Sequence, residues 1–338
     1  MSEFRIDQIK SQDATRGPDV AGITTFTGTS GIVMPSGDTA YRGGRGRGVF
    51  CGGYNPTGYN IMDYVTIATL GNAIDFGDLK TFVRLGTGNG SSTRGIVSGG
   101  FPSTDVIQYT TISSTGNTLD FGSISYGTAY GLMSAGNSTR NLILGGAVVA
   151  QPGNSKTIDY VTFSTLGNST FFGDLLDHKR YGKAISSPTR AVSGSYNTAP
   201  INALEFVTIT TLGNAKDFGD LTSNQNACGG AASPTRGIFA GGHVSPADID
   251  NIDYITFSSR GNALDFGNLT TAKHYYGSGT SSSTRGIFAA GEKYSPQSYR
   301  TEIDYITIAT TGNAADFGDV TQSRGQTSDF SDSAGGLG

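Results

Sequence analysis

Residues 235–268 read TRGIFAGGHVSPADIDNIDYITFSSRGNALDFGN, and variants of this wording recur along the 338-residue chain, giving six copies in all. The arginine that opens each copy is Arg47, Arg94, Arg140, Arg190, Arg236 or Arg285, at intervals of 46 to 50 residues. A Gly-Asn pair follows in every copy, at Gly71-Asn72, Gly116-Asn117, Gly167-Asn168, Gly213-Asn214, Gly261-Asn262 and Gly312-Asn313. Between these landmarks stands an aromatic residue: Tyr64, Tyr109, Tyr160, Phe206, Tyr254 or Tyr305. Landmarks that stay in register six times make the repeat the structural unit.

Each copy divides into four strand-like pieces. The first is small and polar, as in 181–187, 274–283 and 325–333. The second is the apolar run after the arginine, closed by a double glycine such as Gly241-Gly242. The third carries the aromatic among β-branched residues, which favour strands. The fourth follows Gly-Asn, a pair that tolerates positive φ and marks a hairpin. The third strand is apolar on both faces, since Tyr305 alternates with Ile306 and Ile308, so it fits sheets packed face to face. A period near 50 with four strands predicts an all-β fold, a six-bladed β-propeller over residues 43–338. The first copy lacks an inner strand and the last has one too many. The C-terminal strand is therefore expected to complete the first blade.

Composition narrows the function classes. The 23 basic and 27 acidic residues give a formal charge of −4, without the clustered Lys and Arg of a nucleic-acid surface. No apolar run is long enough to span a bilayer, and the polar start 1–19 predicts no signal peptide. Cys51 and Cys228 occupy different positions in different repeats, which predicts no disulfide. Residues 1–42 share nothing with the repeats and are read as an attachment arm.

The hydrophobic run, Gly-Gly, spaced tyrosine and later aromatic resemble the kelch motif, with Phe76, Phe121, Phe172, Phe218, Phe266 and Phe317 where that motif usually carries Trp. The wording IDYITIATTGNAADFGD at 303–319 is similar to repeats of virion structural proteins from tailed bacteriophages, notably those of marine cyanobacteria. The segment TGTSGIVMPSGDTAYR at 27–42 is similar to a short linker of phage tail-fibre proteins. The resemblance implies a particle component, and the lack of a catalytic signature adds the expectation that it is non-enzymatic. Other virion proteins would be reached through residues 1–42, with contact to a host glycan or protein, no membrane insertion and a possible homo-oligomer on the particle.

Candidate chemistry is sparse in the sequence. Asp-Phe-Gly at 75–77 mimics a kinase magnesium motif but recurs at 120–122, 217–219, 265–267 and 316–318, so it is read as packing. The glycine clusters 44–48 and 86–90 lack the strand–loop–helix setting of a nucleotide loop. The six repeat arginines are read as structural pegs onto strand-end carbonyls of their own or the next blade. His178, His243 and His274 stand in separate repeats without metal-ligand spacing, so no metal or cofactor is expected. The run 248–253 is the best calcium candidate, and a solvated loop is the simpler reading. Sialidase-type Ser-x-Asp-x-Gly-x-Thr-Trp boxes are missing, as is any Trp, which counts against a propeller glycosidase.

Loops joining strands two to three, and each blade to the next, vary over a constant scaffold, which is where binding is usually placed. The expected binding residues are Tyr54, Asn55, Tyr59, His178, Lys179, Arg180, His243, Lys273, His274, Tyr294 and Tyr299. A carbohydrate-binding receptor module is the alternative to an architectural disc.

Overall fold

The computed structural model describes residues 46–149, 153–196, 202–244, 246–274 and 278–333. Among them every regular element is a strand. Six antiparallel four-stranded sheets form the blades of a propeller. Their inner strands, in order around the axis, are Ser328–Ser331, Thr87–Gly90, Met133–Gly136, Arg180–Ser186, Gly229–Ala232 and Thr280–Ser281. Consecutive inner strands touch, and the sixth touches the first, so the ring is closed.

Closure follows the scheme expected from the repeats. The chain's last strand pairs with Arg47–Cys51, Val49 facing Phe330, ahead of Ile61–Thr66 and Ile74–Asp78 in the first blade. The expected attachment arm, residues 1–42, lies outside the described residues.

Small residues at the axis and large ones between blades explain why the sheets assemble this way. Inner strands such as Gly229–Ala232 carry little side-chain volume, so they can converge. Further out lie six apolar clusters, each filled from two adjacent blades. Val49, Met62 and Phe76 of the first blade, for example, pack with Val97 and Ile112 of the second. The Phe330 ring from the latching strand joins this cluster and lies against Gly95, where a Cβ would stand 2.2 Å from it. Burying such a side chain is worth about 1.5–3 kcal/mol.

The run 243–251 differs from the loop expected there. Strand Arg236–Val244 pairs with Ala247–Thr256 past the double glycine, through His243 opposite Asp248. Two short ribbons, Ala129–Tyr130 with Ala147–Val148 and Glu292–Lys293 with Ser298–Tyr299, add to the same face.

Candidate functional site

The two faces of the disc are built by different means. On the constant face, every repeat arginine reaches the next blade. Arg47 donates to the carbonyl of Ile112 (2.7 Å), Arg94 to Phe163 (2.6 Å), Arg140 to Ile209 (3.1 Å), Arg190 to Phe257 (2.5 Å), Arg236 to Ala309 (2.9 Å) and Arg285 to Ile67 (2.8 Å). The last bond returns to the first blade and completes a circle. Each guanidinium also lies over its own blade's mid-repeat aromatic, as Arg47 does over Tyr64 at 4.5 Å. These charges are engaged in holding blades together, as the structural reading expects.

Gly-Asn works between blades as well as within its turn. Asn117 Oδ1 accepts from the backbone N–H of Asp78 in the preceding blade (2.9 Å), and Gly116 N–H donates to Phe76 O (2.7 Å). Gly77 of Asp-Phe-Gly has φ +139°, and a Cβ there would meet the Gly116 carbonyl at 2.6 Å. Phe76 is buried, and its ring meets Tyr64 edge-on. Asp-Phe-Gly is thus a packing element, as expected.

The opposite face is organised around a belt of left-handed residues in the inter-blade connectors: Leu85, Gly131, Tyr181, Ala227 and Gln326, all with φ between +54° and +66°. Leu85 N–H donates to Gln326 O, Gly131 to Leu85, Tyr181 to Gly131 and Ala227 to Tyr181, at 2.7 to 3.0 Å. Each connector also pairs through its backbone with a residue at or just after the double-glycine position of the blade it enters. The pairs are Gly325 with Tyr54, Arg84 with Phe101, Tyr130 with Ala147, Arg180 with Tyr196, Asn226 with His243, and His274 with Glu292. A recurrent backbone frame thus carries residues that differ from blade to blade.

Two chemistries result. From the sixth blade through the first to the fourth runs a chain of rings and guanidinium groups. Tyr299 meets Tyr54 edge-on at 6.0 Å, Arg84 lies over Tyr54 (4.1 Å) and Phe101 (4.8 Å), and Phe101 meets Tyr130 at 5.8 Å. Tyr130 then meets Tyr181 at 6.1 Å, with Arg180 over Tyr181 at 4.9 Å. Burial, with Tyr130 adding to it, pushes the Tyr181 hydroxyl up to about 12, so it stays a neutral hydrogen-bonding group. Phe101 is 40% exposed. Stacked rings and planar cations of this kind suit sugar faces and aromatic or anionic side chains.

Between the fifth and sixth blades the chemistry is ionisable. Asp248 Oδ1 accepts from His243 Nδ1 (3.0 Å) and His274 Nδ1 (2.8 Å), while Oδ2 accepts from Tyr294 N–H (2.7 Å). His274 Nε2 donates to Glu292 Oε1 (2.9 Å), and the Tyr294 ring lies 4.5 Å from that of His243. Burial would lower the His274 pKa, but Glu292 and Asp248 outweigh it and hold it above the usual histidine range. Burial would likewise raise that of Asp248, yet the Tyr294 N–H and the two histidines hold it low.

Several residues expected to bind are placed otherwise. Lys179 and Lys273 are buried and pair with Glu205 (2.6 Å) and Asp304 (3.1 Å), acids on the third strands of the blades they enter. Arg324 makes the equivalent pair with Asp63 at 2.9 Å. The connector residue one place before the one that pairs at the face points beneath it, so Lys179, Lys273 and Arg324 are pegs, whereas Arg84 and Arg180, one place later, lie over rings of the face. Asn55 donates to Ser323 O (2.8 Å) and Tyr59 to Asn55 O (3.0 Å), which ties one loop to the last connector. His178 is exposed, apart from the other histidines, with Nδ1 on Asn154 O. The calcium candidate divides: Asp248 faces the histidines, whereas Asp253 is buried against Thr222, its carboxyl raised by burial. Arg84, Phe101, Tyr130 and Glu292 were missed. Aligning the residue after each double-glycine position would have found Phe101 and Glu292.

A solved structure titled "Structure of YjhT" is similar to this chain, with a TM-score of 0.62 and 10% identity over 75% of this chain and 88% of that one. The likeness is one of fold. No family model and no curated protein matches the chain.

Proposed function

We propose that this protein is a non-enzymatic recognition propeller, displayed on a tailed-bacteriophage particle, whose loop face contacts the host surface or a neighbouring particle protein. The observation that carries the recognition reading is the contrast between the faces. Repeat arginines on one face bond to backbone carbonyls of the next blade, whereas the other presents blade-specific side chains on a repeated backbone frame. The particle setting rests on the resemblance of 303–319 and 27–42 to phage structural proteins.

The arc of rings favours carbohydrate as the thing recognised, because Tyr54, Phe101 and Tyr299 with Arg84 offer apolar faces beside a fixed cation. The test is a glycan array probed with the full chain, alongside binding to host cells and to purified particles lacking it. Saturable binding to a glycan or a particle partner supports the reading. Binding to none of the three contradicts it, and release of sugar from array glycans overturns the non-enzymatic part.

A further inference from the structure

A cluster of two histidines and an aspartate lies between the fifth and sixth blades. The ligand atoms of His243, Asp248 and His274 all lie within 4.8 Å of one another. The two histidine-to-carboxylate separations, 3.0 and 2.8 Å, sit close to the edge of a small tetrahedron. With metal–nitrogen and metal–oxygen bonds near 2.0 Å, that edge is about 3.3 Å, so these two edges need open by only a few tenths of an ångström, while the histidine-to-histidine edge lies within 4.8 Å.

The surroundings point the same way. A ligand histidine generally donates its other ring N–H to a carboxylate, which fixes the tautomer and ring orientation. His274 has this arrangement, with Nε2 on Glu292 Oε1 at 2.9 Å. Glu292 is itself buried and accepts from Gln326 Nε2. The free oxygen of a ligand carboxylate also needs a partner, and Asp248 Oδ2 has the Tyr294 N–H at 2.7 Å. The Tyr294 ring covers the His243 imidazole. Both outer partners come from one short ribbon, Glu292–Lys293 with Ser298–Tyr299, and the chain that joins its strands.

We infer that His243 Nδ1, His274 Nδ1 and Asp248 Oδ1 form a binding site for a divalent transition ion of the zinc class, oriented by Glu292 and Tyr294. Two imidazoles and one carboxylate select zinc, cobalt or nickel over magnesium or calcium, which take oxygen sets. Both histidines would ligate as neutral imidazoles through their Nδ1 lone pairs, each carrying its one ring proton on Nε2, which in His274 is held by Glu292. Three protein ligands leave a tetrahedral ion one position for water or an anionic group of a bound partner. The site does not depend on the particle setting proposed above.

The experiment is titration of the full chain, prepared without a polyhistidine tag and stripped with EDTA, with zinc by calorimetry and with cobalt by visible absorption. One equivalent should bind, with the intense bands of four-coordinate cobalt. His243→Ala, at the most exposed ligand, should weaken zinc at least about 100-fold while the melting temperature without metal stays close to the parent's. Glu292→Gln, which touches no ion, should weaken it about 10–100-fold. His178→Ala should change nothing. No stoichiometric binding, binding indifferent to His243→Ala and Asp248→Ala, or loss on His178→Ala would each overturn the site.

Discussion

Lys183, on the inner strand of the fourth blade, reaches across the propeller axis to Asp329, on the strand that closes the first, at 3.1 Å. These blades are opposite in the ring, so one ion pair spans the cavity of about 40 Å³ at the axis. It ties the latch to the far side of the disc. Both side chains are nearly buried, and a buried pair of this kind does more to fix an arrangement than to stabilise it.

That pair gives the latch a pH signature. Burial pushes the Asp329 carboxyl up to about 6, against the pull of Lys183. Its folded pKa thus exceeds the unfolded value of 3.8. The contribution to stability is fully present below pH 3.8 and is lost as pH rises through about 6, by about 3 kcal/mol for such a gap. Unfolding of the parent and of Asp329→Asn, measured at pH 4, 6 and 8, should show the parent losing ground to the variant as pH rises. Lys183→Met should become more destabilising over the same range. A pH-independent difference in both would contradict the assignment.

The latch is tested separately by Phe330→Ala. The ring fills the cluster between the first and second blades, and its removal should cost about 3–5 kcal/mol of unfolding free energy. Deleting 328–338 should be worse. A truncated protein that melts like the parent would refute closure by the last strand.

On the constant face, Arg236→Ala removes a hydrogen bond to Ala309 O at 2.9 Å and a guanidinium stacked on Tyr254. The expected cost is about 1–3 kcal/mol, with ligand affinity of the folded protein unchanged.

Ala290 occupies the first place of a double-glycine position with φ +57°, a backbone region in which a Cβ is strained. Ala290→Gly should stabilise by about 0.5–1 kcal/mol. The reverse change at the equivalent Gly52 would set a Cβ 2.2 Å from Val83 O and should destabilise by about 2 kcal/mol or more. Equal melting temperatures for both variants and the parent would contradict this account of the turn.

The architecture was legible because repetition exposes it. Each Arg, aromatic and Gly-Asn does the same job in every blade, so the job marks the sequence six times. The site was less legible because it is made where the blades differ. His274 lies 26 residues from Asp248 and 18 from Glu292, separations set by connector length and carrying no motif. Lys179 and Lys273 misled for a related reason: they sit in connectors, yet the chain turns inward there and buries them against Glu205 and Asp304. Replacing Lys179 would strip the partner from a buried acid, so it cannot serve as a neutral surface change.

Recognition by the loop face is tested most directly by measuring affinity for host cells and for purified particle partners with Phe101→Ala, Arg84→Ala and Arg236→Ala, beside their melting temperatures. Phe101 is partly exposed and Arg84 stacks on it at 4.8 Å, so both changes should alter the face with little loss of stability. The account predicts at least about a tenfold loss of affinity for these two, with a small change in melting temperature, and the opposite pattern for Arg236→Ala. Full affinity in both loop-face variants, or loss of affinity confined to Arg236→Ala, would contradict it.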